Sequence, residues 1–144
     1  MSHKFLGRTK TKSRLALLVM DIFTCYSIVM NKIEEFNDYR ARMNEKILSS
    51  DNKVIKRIFN LDTNAFASGA LDVKTKELLG LSCSMVLRCD DCVRYHLGKC
   101  FDLGFKKDEV FEAFSIANLI GGTIIIPHLR RAVEFWEDLE NSNG

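Results

Sequence analysis

Four residues of this chain could do chemistry together: Glu77, Cys89, Cys92 and His96. Eleven residues lie between the acid and the first thiol, two between the thiols, and three between the second thiol and the imidazole. Two cysteines at that spacing can close a small-loop disulfide. A His four residues beyond the second thiol lies over it on one helical face, so His96 can take the Cys92 proton. Cys89, one turn earlier, can resolve an oxidised Cys92 sulfur by disulfide formation. An acid nearby can orient the imidazole or exchange its proton. Together these groups can cycle a dithiol and a disulfide at neutral pH.

The elements that must position them follow from caps and breaks. Asp72 is a good N-cap for a helix over about 73–88. Its stretch from Leu78 to Leu87 is nearly all apolar or small, which predicts a central buried helix. Arg88 to Asp91 breaks it. A second helix is expected over about 91–103, stopped by Gly104 as a left-handed C′ residue. Cys89 and Cys92 then straddle its start, where free N–H groups stabilise a thiolate. Asp90 and Asp91 oppose that effect. Glu77 is harder to place, because twelve residues of straight helix put it about 18 Å from Cys89. It joins the thiols only if the helices cross steeply or the first one breaks early. Otherwise it is a structural carboxylate in the first turns of its helix.

A third helix is expected over about 107–119, with Asp108 and Glu109 complementing its dipole. Gly121-Gly122 breaks the chain, and a last helix runs to about 139 with Pro127 in its first turns. Thr123–Ile126 could instead be a short extended piece. Upstream, Leu15, Val19, Ile22, Tyr26, Val29, Ile33, Phe36, Met43 and Ile47 step by three and four, with Arg40 alone off pattern. That seam predicts a long helix through about residue 48. The fold class is therefore all-α, with no convincing strand pair.

The 144 residues suit one compact domain, and 47% hydrophobic content with ten Phe supports a real core. Residues 1–29 hold five Lys/Arg against one Asp, +4, which leaves −2 for the rest of a chain whose net charge is +2. We therefore read 1–29 as a basic and apolar extension, helical in character, on a domain spanning 30–144. This extension imitates a signal peptide, but it shows no small-residue cleavage site and is too short and interrupted to span a bilayer. No basic stripe interleaves with aromatics, so nucleic acid is not an expected partner. Five scattered cysteines do not make a secreted disulfide framework, and they point to a reducing cytoplasm. Cys25, Cys83 and Cys100 are read as packing thiols, with Cys100 an alternative resolving thiol. His128, Arg130 and Arg131 form a basic turn, read as solvated or facing another subunit. A site for anionic substrates is the alternative. Phe111, Phe114, Phe135 and Trp136 are assigned to core or interface.

The stretches GALDVKTKELLGL (69–81), RCDDCVRYH (88–96) and GFKKDEVFEAF (104–114), with Gly121-Gly122, carry a family resemblance. From about Asn52 to Leu139 the chain resembles the carboxymuconolactone decarboxylase superfamily. Its Glu–Cys–Cys–His spacing looks like the alkylhydroperoxidase D branch. The resemblance implies a helical fold assembled as trimers or hexamers. It also implies a thiol-dependent peroxidase of peroxiredoxin type, reduced by a lipoylated or thioredoxin-like protein. Carried over by position, Cys92 attacks the hydroperoxide, Cys89 resolves the sulfenic acid, and His96 and Glu77 relay protons. Alkylhydroperoxidase D can carry a His just before the second cysteine, where this chain has Asp91. The decarboxylase proper lacks the cysteine pair, so lactone decarboxylation is not the expected reaction.

Two other classes use the same residues. Cys89, Cys92 and His96, with Glu77, could bind a metal, but no second Cys/His pair follows at finger-like spacing, so neither a metal nor a cofactor is expected. The remaining class is a redox-sensing or scaffold oligomer on the same fold.

Overall fold

A computed structural model describes residues 32–142. The expected boundary near Met30, Cys25 and most of the apolar seam lie outside those residues. Within them the chain is helical from 32 to 48, here α1. Five further helices follow: α2 (Lys53–Phe66), α3 (Val73–Val86), α4 (Asp90–Asp102), α5 (Lys107–Gly121) and α6 (Ile126–Ser142). Among the described residues there is no strand, and no helix is long and apolar enough to cross a membrane.

Local chemistry sets most of the boundaries. Asn52 caps α2 by accepting from the amides of Val54 and Ile55. Asp72 caps α3, its Oδ1 accepting from the Thr75 amide at 2.7 Å. Gly104 ends α4 at φ +75, with its amide on the Phe101 carbonyl and the Phe105 amide on the Cys100 carbonyl. This is the left-handed stop that glycine provides. At the start of α5, the Glu109 carboxylate accepts from the Lys106 amide at 2.7 Å. Gly122, at φ +73, turns the chain into a single 3₁₀ turn, Thr123–Ile125. That turn stands where an extended piece was the alternative. Pro127 is the second residue of α6, where a missing N–H costs least.

Helix α3 is central and packs against both α4 and α5, while α4 packs against α6. The buried faces follow helical periodicity: Glu77, Leu81, Ser84 and Met85 on α3; Val93, His96, Leu97 and Cys100 on α4. Val110, Ala113, Phe114 and Ala117 of α5 and Ala132, Phe135, Trp136 and Leu139 of α6 close the core. Phe101 meets Trp136 edge-on at 5.3 Å. Helix α1 adds Ile33 and Phe36, the latter edge-on to Phe135 at 6.0 Å. Arg40, off the apolar pattern, lays its guanidinium over the Tyr95 ring at 3.5 Å.

Two expectations need correction. The helix expected to be central and buried has an open face: Leu79 is 51% and Leu87 74% exposed. Cys83, read as a packing thiol, is exposed on that same side. Periodicity gives the faces of a helix but not how many of them the chain itself covers. Helix α2 buries no residue, and Val54, Ile58 and Leu61 stand in the open.

Leu97 lies fully buried in the hydrophobic core. Leu97→Ala should destabilise the protein by about 2–5 kcal/mol, read as a lower urea midpoint at unchanged slope. A loss below about 1 kcal/mol would mean that this core collapses around the gap.

Candidate functional site

The site is built on the α3–α4 hairpin. Helix α3 ends with Arg88 in the left-handed region at φ 60, a conformation that costs a non-glycine residue about 1–2 kcal/mol. The Arg88 amide bonds back to the Met85 carbonyl and the Cys89 amide to the Ser84 carbonyl. Cys89 is at once the residue that closes α3 and the N-cap of α4. Its carbonyl accepts from the Val93 amide at 2.9 Å, the first bond of the new helix. Cys92 therefore falls in the first turn of α4, among N–H groups that lack intrahelical partners.

Cys89 and Cys92 are joined as a disulfide, with Cα atoms 5.3 Å apart. Cys92 is exposed and Cys89 half-buried, so the bond is open to an external reactant. One turn further along α4, His96 is only 8% exposed. Its Nδ1 lies 2.7 Å from Glu77 Oε2, and Glu77 is 4% exposed. The hairpin therefore brings Glu77 to His96, seven residues past Cys89. A carboxylate there accepts from Nδ1–H, which leaves Nε2 as the ring nitrogen able to take a proton.

Three features hold the imidazole. The Phe66 and Tyr95 rings pack on it at 5.1 and 5.2 Å. Its third wall is Gly80, one turn after Glu77 on α3. A Cβ at Gly80 would stand 2.7 Å from His96 Cε1. Only glycine lets the backbone of α3 come that close. In the sequence Gly80 shows only as an isolated glycine within an apolar helical run. A cavity of about 500 Å³ beside this pair is lined by Phe66, Val73, Glu77, Tyr95 and Lys99.

The other candidates separate clearly. Cys100 is fully buried, and burial, with Glu77 nearby, pushes its thiol up to about 12. That argues against a second resolving role. Arg131 is exposed, as a solvated basic turn implies, but it and the half-buried His128 both bind an acid. His128 Nδ1 is 2.8 Å and Arg131 Nε 2.9 Å from the two carboxylate oxygens of Asp90. Partial burial raises the Asp90 carboxyl, but hydrogen bonds and charge from His128 and Arg131 outweigh it and hold it below the usual carboxylate range. Arg130 is exposed. Among the described residues no group of three or more His, Cys, Asp or Glu converges as a metal site.

The family model for carboxymuconolactone decarboxylase matches residues 52–135, more than half of the chain. This protein belongs to that family. A family member from Thermotoga maritima, named for a suspected part in antioxidative response, is 52% identical and superposes with a TM-score of 0.73. The alignment covers 76% of this chain and 92% of that one. A family protein from Legionella pneumophila, 24% identical, shares the fold at a TM-score of 0.65 over 79% of this chain and 99% of its own. An uncharacterised protein encoded in the cox locus of Paracoccus denitrificans is 25% identical over 77 residues, 54% of this chain and 69% of its own length. The carboxymuconolactone decarboxylase family fold thus accounts for the helical domain, and the linked cysteine pair lies within the matched region.

Gly80→Ala should displace His96 and break its bond to Glu77 while leaving most of the core intact. The His96 ring resonances, followed by NMR across a pH titration, should shift well beyond those of a control such as Gly98→Ala, where a Cβ meets nothing within 4 Å. Identical His96 titrations in the two variants would show that the ring has room to spare.

Proposed function

We propose that this protein is a thiol-dependent peroxidase and disulfide oxidoreductase working through Cys89 and Cys92 in a reducing cytoplasm. The observation that carries this reading is the exposed disulfide at the start of α4, one turn before a buried imidazole held by a carboxylate. The antioxidative role suspected for the Thermotoga maritima relative supports the same reading.

The Cys92 thiol gives its proton to His96 Nε2, directly or through water. The thiolate attacks a peroxide oxygen, the O–O bond breaks, and the leaving alkoxide or hydroxide takes up a proton. Cys92 is now a sulfenic acid. The Cys89 thiolate attacks the Cys92 sulfur, the S–O bond breaks, and hydroxide leaves as water after protonation. Two thiols have lost two protons and two electrons, and the hydroperoxide has become an alcohol and water. A dithiol reductant, from a lipoylated or thioredoxin-like protein, returns both by exchange. Glu77 steadies the imidazole and stabilises its cationic form.

Mild peroxide should convert the reduced protein to a form two hydrogens lighter, restored by a dithiol. Cys89→Ser should stop at a trappable sulfenic acid on Cys92. His96→Ala and Glu77→Gln should each slow oxidation by about 10²–10⁴-fold without unfolding the protein. Thiols that still alkylate fully after peroxide would remove the redox reading. Full rates in both relay variants would remove the relay alone.

Assembly as a trimer or hexamer belongs to the same proposal. It is supported by an apolar groove between α3 and α5, lined by Leu79, Cys83, Leu87, Ile116 and Ile120, which the single chain leaves open. Covering side chains of this size is worth roughly 1.5–3 kcal/mol each. Ile116→Lys, at a position 59% exposed, should yield folded monomers by light scattering. A wild-type monomer at micromolar concentration would overturn the assembly.

A further inference from the structure

Asp90 stands between the two cysteines, as the first residue of α4. Left alone, its carboxylate would oppose a thiolate on either side. It is not left alone. Arg131 Nε and His128 Nδ1, from the first turns of α6, reach its two oxygens at 2.9 and 2.8 Å across 41 and 38 residues of sequence. Arg131 Nη2 also lies 3.0 Å from His128 Nδ1. A single nitrogen cannot donate to Asp90 and accept from Arg131 at once. With its proton on Nδ1, His128 donates to the carboxylate. The second acid of the loop, Asp91, has Arg94 at 3.7 Å, a loose and exposed pair. Each acid of the loop therefore has a guanidinium partner, Arg131 for Asp90 and Arg94 for Asp91, while Arg88, next to Cys89, is exposed. His128 adds a positive charge only when protonated. The field of the helix N-terminus is left to favour a thiolate.

Resting on the redox reading above, we infer that Arg131 and His128 are positioning residues for the Cys89–Cys92 pair, neutralising Asp90 and fixing the start of α4 against α6. Arg131 carries the larger share, because its charge is permanent. The strained Arg88 turn on one side and the α6 clamp on the other hold the loop at both ends.

The charge account makes opposite predictions for the two partners, which a merely structural clamp does not. Arg131→Met leaves Asp90 uncompensated and should raise the pKa of the reactive thiol, slowing its alkylation at neutral pH about three- to tenfold. Asp90→Asn leaves Arg131 uncompensated and should shift that pKa down. The double variant Asp90→Asn/Arg131→Met should return close to wild type, and Arg131→Lys should stay near it. The disulfide's redox equilibrium should move in step. It becomes harder to reduce in Arg131→Met and easier in Asp90→Asn, because stabilising the thiolate stabilises the reduced form. The experiment is the pH profile of iodoacetamide alkylation, with a dithiothreitol redox titration, on full-length variants checked by circular dichroism. Shifts of the same sign in Asp90→Asn and Arg131→Met, or none in either, would overturn the inference. A wild-type protein that forms no reversible disulfide would instead overturn the reading on which it rests.

Discussion

The contact on which the rest of the site depends is the hydrogen bond between Glu77 and His96. Both partners are taken almost wholly out of water. An ionisable group buried without a partner costs several kcal/mol, so each residue offsets the cost of burying the other. The bond in turn demands that α3 and α4 approach closely, and Gly80 is the place where they do. Phe66 and Tyr95 flank the imidazole, and Leu81, Leu97 and Cys100 belong to the core beneath it. A pair of apolar side chains of similar volume would often be at least as stabilising. Packing alone therefore gives no reason for an acid and an imidazole at this depth, which supports the proposed relay.

Much of this was legible in the residues because it is decided locally. Asp72, Gly104 and Pro127 announce two helix starts and one helix stop through chemistry that acts within a turn. The Cys–Cys–His spacing sits on one helix and needs nothing distant to be read. What stayed hidden depends on contacts far along the chain. Helix length separates Glu77 from the thiols, whereas its partner is the imidazole further along α4. Gly80 carries no motif, and its meaning appears only when another helix lies against it. Asp90 reads as opposing a thiolate because nothing in its neighbourhood reveals Arg131. Helix α2 carries no motif that sets it apart. Its apolar residues Val54, Ile58 and Leu61 are not spent on the core of this chain.

The open faces of α2 and α3 make a related point. Apolar periodicity records every surface that avoids water, whether the cover is in the same chain or outside it. A helix with two apolar sides reads as central, and α3 is central to the extent that α4 and α5 cover it. Cys83 lies on the side that remains. Its environment in solution follows from whatever covers that groove.

Cys89 is held by backbone hydrogen bonds on both sides, closing one helix with its amide and opening the next with its carbonyl. Cys92 is one helical turn away on a rigid element. Cleaving the bond between their sulfurs therefore releases little chain freedom, and the two side chains remain neighbours at a very high effective concentration. Ring closure competes as an intramolecular step against any outside thiol. In the proposed redox cycle a mixed disulfide with a reductant is then short-lived, and a reductant that carries a second thiol close at hand finishes the exchange before the loop takes the sulfur back.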